Sequence, residues 1–406
     1  MTASLAPLRQ PPPSTIAGTP AATVAVQRHA GAAEFSAHSW DRLVDTESGL
    51  YSSHRWIRAL EMTHGPQPVL AARSGRLTGV LPTWTVRDSG NTGALFDPAA
   101  MTRGLISMPS DQVLWLGTRR STAATITCAR GQQRVQTLTA LLEEARKSAA
   151  EQHLACAVWP YLSGEEAREA AACHPLAQAV LHTADTWIDV PADGTNGILA
   201  AARSKDRRTW RRERHQFASN GAVEWTGLTR DTCSRIAPLL AATRNKYGAP
   251  GGTRLMSHVL AAQRAAGVAD HAMVALGRRH GEDTVRAAAV FYRHPGGSTL
   301  YGRYWGADSE APPYAYFELT LYAALDHAAH EGMRRLHLSV PATPAKLTRG
   351  ARVTPLALVY LPAHPGAALD RDLVSRHNAR TTQLWSPAPG HGGGSWDTWT
   401  SRLGGG

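Results

Sequence analysis

Residues 285–305 read VRAAAVFYRHPGGSTLYGRYW, and this stretch decides the fold. Its two ends, 285–293 and 299–305, are rich in apolar, aromatic and β-branched side chains, which favour strands. The segment 294–298 between them carries Pro and Gly in an order that favours chain reversal. A further run, 272–278 (AMVALGR), has the same character. The sequence therefore predicts a three-stranded meander over residues 272–305.

A helix with one buried face is predicted directly after the meander. Apolar side chains recur there at helical spacing, namely Phe317, Leu321, Ala324, Leu325 and Ala328. Gly332 stands where such a helix would end. An alternating stretch at 335–340 (RLHLSV) and an apolar run at 356–361 (LALVYL) predict two more strands. The second half thus has the order meander, helix, strand, strand.

The same order occurs, more weakly, in the first half of the chain. Its elements are a strand at 68–73, a turn at Ser74-Gly75, a strand at 78–86, a helix near 134–150 and a strand at 154–161. Because 406 residues are too many for one ordinary domain, we predict two similar α/β units in series. The Gly-, Pro- and Asp-rich segment 185–197 would connect them. The predicted divisions are a disordered leader at 1–25, domains at 26–190 and 191–386, and a flexible Gly-rich tail at 387–406.

Composition narrows the classes of function. No apolar run is long enough to cross a bilayer, and the four cysteines have no paired spacing, so we expect a cytoplasmic protein without stable membrane insertion. His327, His330 and Glu331 have the wrong order for a helical zinc site, so no metal is expected. The net charge of +11 favours a polyanionic partner, although a bias in genomic base composition would also produce many arginines.

Four segments carry a family resemblance: SKDRRTWRRERHQF (204–217), LYGRYWG (300–306), YAYFELTLYAALDHAAHEGMRR (314–335) and AKLTRG (345–350). Together they resemble the peptidoglycan biosynthesis or recognition family, which is related to the Fem aminoacyl transferases. The resemblance implies an α/β fold of tandem GNAT-like (acyl-CoA N-acyltransferase) domains, each a mixed, mostly antiparallel sheet flanked by helices. It also implies transfer of an amino acid from aminoacyl-tRNA to an amine, with no other cofactor. The acceptor would be a small molecule or peptide, such as a natural-product or cell-wall precursor.

Two positions depart from the pattern of that family. Tyr316 stands where a histidine is expected, and Pro344-Ala345 stands where Glu-His is expected ahead of Lys346. Both departures fall near the implied site. The acceptor, the amino acid, the tRNA and the oligomeric state are not specified by the sequence.

A predicted helix at 203–218 carries most of the local positive charge. Its cations are Arg203, Lys205, Arg207, Arg208, Arg211, Arg212 and Arg214. Only Trp210 and Phe217, seven residues apart, can dock it on a core. We expect these cations to bind the backbone of an RNA stem, and prefer RNA to a membrane surface because the helix has no broad apolar face. A solvated charged helix without a ligand is the alternative.

The connection between the meander and the next helix argues against coenzyme A. Users of coenzyme A need a Gly-rich loop there, whose backbone amides hold the pyrophosphate at the helix N-terminus. This chain has GADSEAPPYAYFE (306–318), in which two prolines lack amide hydrogens and three acidic side chains repel phosphate. Coenzyme A is therefore not expected, although a CoA-dependent N-acyltransferase remains an alternative.

Aminolysis of an aminoacyl ester needs placement of the substrates, a proton acceptor and donors to the oxyanion. The catalytic candidates are Glu318, Lys346, Asp308 and Tyr301, with Glu318 or Asp308 as the base and Lys346 stabilising negative charge. The substrate-binding candidates are Arg303, Tyr304, Trp305 and Tyr316. In a regular strand Tyr301, Arg303 and Trp305 would share one face. Local packing and helix-terminal or surface charge are the structural alternatives for each residue, and a noncatalytic RNA or cell-wall binder is the third function considered.

Overall fold

The computed structural model describes residues 23–89, 93–249, 251–340, 343–386, 388 and 394–399. The strands in these residues are β1 (Ala25–His29), β2 (Val69–Ser74), β3 (Arg76–Trp84), β4 (Val113–Leu116), β5 (Cys156–Ser163), β6 (Gln178–Asp189), β7 (Gly221–Gly227), β8 (Ala272–Arg279), β9 (Val285–Arg293), β10 (Thr299–Ala307), β11 (Arg335–His337) and β12 (Arg352–Pro362). Most of the predicted leader lies outside the described residues.

The described strands form one sheet in the order β1-β2-β3-β4-β5-β12-β6-β11-β10-β9-β8-β7. Pairing is antiparallel except between β4 and β5 and between β10 and β11. The last strand of the chain, β12, lies between β5 and β6, while β6 pairs with β11 of the second half. The two halves therefore exchange a strand, and the sheet is continuous across the predicted boundary at residue 190. That boundary stays a prediction.

Helices cover both faces of the sheet. The α-helices are α1 (Ala37–Asp41), α2 (His54–His64), α3 (Val86–Ser89), α4 (Pro98–Met101), α5 (Arg134–Glu151), α6 (Gly164–Ala172), α7 (Thr195–Ala201), α8 (Ser204–Asn220), α9 (Arg230–Lys246), α10 (Gly252–Ala265), α11 (Ala315–Phe317), α12 (Ala323–His330), α13 (Thr343–Leu347), α14 (Arg371–Trp385) and α15 (Gly394–Asp397). A π-helical turn, Glu318–Tyr322, joins α11 to α12. Short 3-10 turns lie at Ala32–Glu34, Leu50–Ser52, Gly93–Phe96, Ser110–Gln112, Ala269–His271 and Pro365–Ala367.

The core of the second half has two layers. Apolar side chains of α2, α9 and α10 pack on one face of β8 to β10, and those of α8 and α12 pack on the other. Trp210 and Phe217 are the buried apolar residues of α8, as the sequence predicted. The predicted fold class, an α/β fold with a mixed, mostly antiparallel sheet flanked by helices, is confirmed.

The predicted meander, the helix near 134–150 and the strand near 154–161 are confirmed to within a few residues. The connection expected at 185–197 is wrong at its start, because β6 runs through residue 189. The strand expected at 335–340 ends early at His337, since the carbonyls of Leu338 and Ser339 accept hydrogen bonds from Lys346 instead of continuing the ladder.

The tail is described only in part. Trp396 and Trp399 are buried against the core that α5, α6 and β12 form. The expectation that the tail does not pack is therefore wrong for these two side chains, whose large apolar surfaces gain from leaving water despite the Gly-rich flanks.

Three general properties bear on function. Among the described helices, none combines the length and the apolar character needed to cross a membrane. All four cysteines are free and buried. Within the described ranges, no group of three or more His, Cys, Asp or Glu side chains is arranged to hold a metal ion.

Candidate active site

The candidate site lies where β10 leaves its parallel partner. β10 pairs with β11 only through residues 299–301, opposite residues 335–337. β10 then continues to Ala307, whereas β11 ends at His337. Since no other described strand pairs with that side of β10 beyond Tyr301, the second half of β10 is unpaired there, and we call the region between it and the segment that follows β11 the cleft.

A β-bulge at Arg303 shapes one side of this cleft. Gly302 is opposite Phe291 and Tyr304 is opposite Val290, so Arg303 is the extra residue. As a result Tyr301 and Tyr304 pack toward α9 and α10, while Trp305 packs on the other face. The prediction that Tyr301, Arg303 and Trp305 share a face is wrong, because the inserted residue shifts the alternation.

Arg303 joins the two halves of the chain. Its Nη2 donates to the backbone carbonyl of Arg120, 2.6 Å away. Its guanidinium lies 5.3 Å from the ring centroid of Tyr51, 5.7 Å from that of Trp56 and 5.4 Å from that of Tyr304. Its buried Nε has no hydrogen-bond partner among the described residues. The side chain is thus held by aromatic rings and keeps one donor uncommitted.

More cations surround Arg303. Burial and the nearby charges of Arg244 and Arg303 lower the pKa of the half-buried Arg120. Burial, followed by the charges of Arg120 and Arg119, lowers the pKa of His64 to about 4. Arg119 itself donates to the carbonyls of His64 and Gly65 at the end of α2. Arginines from three separate elements therefore concentrate positive potential at the cleft, which favours an anionic ligand.

Lys346 lies on the opposite side of the cleft, and its position differs from the predicted role. Its Nζ donates to the carbonyls of Leu338 and Ser339, the latter at 2.9 Å, and lies 3.5 Å from Thr186 Oγ1. Burial lowers the pKa of Lys346 to about 8, while Asp185 acts in the opposite direction. With its hydrogens directed at protein oxygens, Lys346 fixes the chain beyond β11.

Ser339 is the residue that this lysine holds. Its φ of 62° is in the left-handed region, which costs free energy for a residue with a Cβ. Its Oγ lies 2.8 Å from Thr122 Oγ1, in the first half of the chain. Lys346 and Thr122 together hold this strained turn at the edge of the cleft.

An Asp185–His337 pair lies beside Tyr301, and sequence reasoning missed both members. His337 Nε2 is 2.8 Å from Asp185 Oδ2, and both side chains are largely buried. His337 Nδ1 has no hydrogen-bond partner in the described part of the chain. The rings of His337 and Tyr301 lie 5.1 Å apart. Asp185 was assigned to a connection, so the signal that could have found it was the alternation of buried residues along β6.

Glu318 lies on the π-helical turn, a type of irregularity that often occurs at functional sites. Only 6% of the residue is exposed, and its Oε2 has no hydrogen-bond partner among the described atoms. Burial raises the pKa of Glu318, and the charge of Arg214, whose Nη2 lies 3.5 Å from Oε1, opposes the rise. The neighbouring Tyr316 ring packs edge-on against Trp305 at 5.3 Å, which joins this turn to the second half of β10.

Two catalytic candidates have ordinary structural partners. Asp308 Oδ1 accepts from the backbone of Glu310, and Oδ2 lies 3.4 Å from Arg286, at the far end of β10. The buried Tyr301 hydroxyl donates to the carbonyl of Glu47 at 2.5 Å. Burial raises the pKa of Tyr301 well above its ordinary value. The structure therefore gives both residues roles in local architecture.

The basic helix α8 docks through one face and exposes the other. Its buried Glu213 lies 2.7 Å from Arg349 and accepts from the Tyr322 hydroxyl at 2.6 Å. The exposed cations of the helix are Arg203, Lys205, Arg208, Arg211 and Arg212. Arg207 is half-buried. Arg214 faces the protein, where its Nη2 lies 2.9 Å from Asp326, and this pairing leaves it the least available of the predicted RNA-binding residues.

The loop between β10 and α11 uses its own backbone amides. The amide of Glu310 donates to the Asp308 side chain, that of Ala315 to the Pro312 carbonyl, and that of Glu318 to the Tyr314 carbonyl. The two prolines have no amide hydrogen. These three amides and the two prolines therefore offer no donor to a pyrophosphate.

Comparisons with known proteins bear on these features. The model of the FemAB-like family, described as peptidoglycan biosynthesis/recognition, matches residues 111–383, which is more than half of the chain. No curated protein matches. The matching solved structures include three with TM-scores above 0.5, and at their low sequence identities the likeness shows the fold alone.

The first is the C-terminal domain of a putative lysylphosphatidylglycerol synthetase from Agrobacterium fabrum, at 12% identity, 84% coverage of this chain, 95% of that chain and a TM-score of 0.54. The second is FemX, at 11% identity, 82% and 96% coverage and a TM-score of 0.53. The third is a conserved protein of unknown function from Bacteroides thetaiotaomicron, at 11% identity, 80% and 98% coverage and a TM-score of 0.51.

Proposed function

Because the chain belongs to the FemAB-like family of peptidoglycan biosynthesis/recognition proteins, we propose that it is an aminoacyl transferase that uses aminoacyl-tRNA. It would form an amide bond between the tRNA-borne amino acid and the amine of a small-molecule or peptidic acceptor. The family and the fold support a transferase role. The use of tRNA and the class of acceptor are our proposals: the first rests on the arrangement of charge described above, and the second on the family.

One observation carries the proposal: the basic helix packs directly against the turn that carries Glu318. Arg214, on the inner side of α8, lies 3.5 Å from Glu318. Arg208, Arg211 and Arg212 lie on the exposed side of the same helix. An RNA stem bound along that exposed side would bring its end close to the cleft. In this proposal the exposed side of α8 would bind the polyanion, and its inner side contacts the turn that carries Glu318.

The cleft contains groups suited to the steps of ester aminolysis. In this proposal Arg303, Arg120 and Arg244 would hold a terminal phosphate or the oxyanion that develops on the ester carbonyl. Glu318 is the proposed proton acceptor from the attacking amine, because it is buried, its pKa is raised and one of its oxygens is uncommitted. We assign Lys346 a positioning role, since its hydrogens hold the turn at Ser339.

Two other functions have less support in the structure. A CoA-dependent N-acyltransferase has the same fold, but in the loop at 308–318 the amides of Glu310, Ala315 and Glu318 bind oxygens of the chain itself, and two positions are prolines. A noncatalytic binder of RNA or cell-wall polymer would have no use for the buried, partly unpaired carboxylate of Glu318. The chemistry of the site favours the transferase.

The test is transfer of a radiolabelled amino acid from a mixture of charged tRNAs to amine acceptors. We expect ribonuclease-sensitive labelling of an acceptor by the wild-type protein. Micromolar binding of coenzyme A in a calorimeter, with transfer from acyl-CoA, would instead establish the alternative donor. Tight tRNA binding without transfer to any amine, unchanged by Glu318→Gln, would establish a noncatalytic binder.

The proposed contact between α8 and RNA can be tested with a matched control on another helix. The triple variant R208Q/R211Q/R212Q should weaken tRNA binding and reduce the slope of log K against log salt by about 2–3, because each lost phosphate contact contributes about 0.7–0.9. The variant R371Q/R376Q/R380Q removes the same charge from exposed positions of α14 and should leave the slope unchanged. R214Q should also leave it unchanged, because Arg214 is paired within the protein. Equal effects of the two triple variants would reject α8 as the RNA contact.

A further inference from the structure

A cavity of about 950 Å³ lies in the first half of the chain, and no cleft residue named above lines it. It is open to solvent on one side and is bordered by the segment between α1 and α2, the start of β3, the segment before α5 and the start of α6. Its apolar lining consists of Leu43, Val44, Leu77, Ile126 and Cys128, which are buried. The volume is in the range of about 300–1,000 Å³ that is typical of small-molecule sites.

The charged lining of this cavity is balanced. Four arginines and four carboxylates contribute to it, namely Arg42, Arg76, Arg130, Arg134, Asp45, Glu165, Glu166 and Glu169. A polyanion such as a diphosphate would meet as many carboxylates as guanidinium groups. The balance therefore disfavours a phosphate-rich ligand, in contrast to the cleft with its cluster of arginines.

Two of the arginines are neutralised inside the lining. Arg130 pairs with Asp45. Arg134 binds Glu169 with two parallel hydrogen bonds, of 2.5 Å from Nε and 2.9 Å from Nη2. Such bidentate pairs are strong and geometrically fixed. These four charged side chains are paired with one another and are therefore not available to pair with a ligand.

Glu166 is also committed within the protein. Its Oε1 accepts from the backbone of Ile126 at 2.8 Å, and its Oε2 accepts from Ser163 Oγ at 3.0 Å. Both bonds fasten α6 to the neighbouring segment. Glu166 therefore has a structural role.

Three charged side chains of the lining remain, and they carry both signs. Arg42, Arg76 and Glu165 are exposed to solvent and have no hydrogen-bond or ion-pair partner among the described residues. The cavity thus offers two free guanidinium groups, one free carboxylate and an apolar surface. Planar guanidinium groups suit carboxylates, and a carboxylate suits an ammonium group.

We propose that this cavity binds a small zwitterionic ligand, an amino acid or a short peptide. Arg42 and Arg76 would hold its carboxylate and Glu165 its ammonium group, while the apolar lining contacts the middle of the ligand. The site is separate from the cleft and needs neither tRNA nor the transfer reaction. The proposal of this second site does not depend on the proposed function.

The experiment is calorimetric titration of the full-length protein with trialanine. Two capped forms each remove one charge: N-acetyl-trialanine lacks the ammonium group, and trialanine amide lacks the carboxylate. We expect saturable binding of trialanine and at least tenfold weaker binding of each capped form. Inorganic pyrophosphate, the polyanionic probe, should not compete with trialanine.

Variants assign the two ends of the ligand. R42Q/R76Q should weaken trialanine at least tenfold and leave trialanine amide unaffected, whereas E165Q should weaken trialanine and leave N-acetyl-trialanine unaffected. The controls R371Q/R376Q and E331Q make the same charge changes at exposed positions elsewhere and should have no effect. Absence of saturable trialanine binding, or tighter pyrophosphate binding that R42Q/R76Q abolishes, would overturn the proposal. Neither result would affect transfer from tRNA, so failure here is distinguishable from failure of the proposed function.

Discussion

Arg303, the bulge residue of β10, donates a 2.6 Å hydrogen bond to the backbone carbonyl of Arg120. The bond connects the strand that forms one side of the cleft to a segment of the first half of the chain. Arg120 is itself in the left-handed region, with a φ of 58°. A strained backbone position and an irregular strand thus meet at the junction of the two halves, where the cleft opens.

Removing this arginine should destabilise the protein measurably. R303M deletes a charge-assisted hydrogen bond and contacts with three aromatic rings, so the free energy of unfolding should fall by about 2–3 kcal/mol. R303K keeps the charge but not the planar stacking and should recover only part of the loss. Urea unfolding measures both. R371M, at an exposed position of α14, should change the free energy of unfolding by no more than about 0.5 kcal/mol. A change that small for R303M would contradict the structural role of Arg303.

Lys346 should make stability depend on alkaline pH. Burial lowers its pKa from 10.5 to about 8 in the folded state. Between these two values the unfolded chain binds more protons than the folded chain, so this residue's contribution to stability rises with pH. The shift corresponds to about 3 kcal/mol across the window.

The comparison is between wild type and K346M, because ionisation of other groups cancels in the difference. The stability of wild type relative to K346M should increase from pH 7.5 to 10.5. K205M, which removes an exposed lysine of α8, should give a flat difference over the same range. A flat difference for K346M as well would show that its ammonium group is not buried in solution.

The sequence predicts local elements of this fold well and non-local ones poorly. The meander at 272–305 follows from apolar runs and the turn at 294–298, both of which are short-range signals. The pairing of β12 with β5 joins segments about two hundred residues apart, and nothing in either segment specifies the partner. The bulge at Arg303 is similar, because one inserted residue reverses the faces without altering the composition of the strand.

The candidate site divides in the same way. Arg303 and Glu318 both follow from the sequence: Arg303 lies at the cleft, and Glu318 lies on the π-helical turn that contacts α8. Arg120, Arg244 and the Asp185–His337 pair were missed, because only the fold brings them to β10 and β11 from distant parts of the chain. Lys346 was found, but its role could not be foreseen, since its bonding partners are backbone carbonyls that any sequence would supply.

Glu318→Gln should separate activity from stability. Burial raises the pKa of Glu318, so between the ordinary value of 4.5 and the raised value the folded chain binds more protons, and stability falls as pH rises through that window. The glutamine variant cannot ionise and therefore does not lose stability as the pH rises, so it should be at least as stable as wild type at pH 7. The transfer rate should fall at least about 100-fold, which is typical when a general base is removed.

A pH profile of the transfer rate checks the same assignment. The wild-type rate should rise with pH along a limb above pH 4.5, and E318Q should lack that limb. E310Q, on the loop before α11 and more exposed, should keep both the limb and the rate. If E318Q retained the wild-type profile, the proton acceptor would be another group, with His337 as the next candidate.

The strand exchange predicts that both halves unfold together. β12 lies between β5 and β6, and β6 pairs with β11. Unfolding of either half would therefore leave strands of the other half without their hydrogen-bonded neighbours. Hydrogen exchange followed by mass spectrometry at increasing urea should give one unfolding midpoint for the amides of β5 and of β9.

Two substitutions test the coupling of the halves. Val359→Ala, at a buried position of β12, and Val274→Ala, at a buried position of β8, should each lower the free energy of unfolding by about 2 kcal/mol. Each should lower the two midpoints equally, even though Val274 is far along the sheet from β5. Separate midpoints for β5 and β9, or a selective effect of V274A on β9, would mean that the halves fold as independent units despite the shared strands.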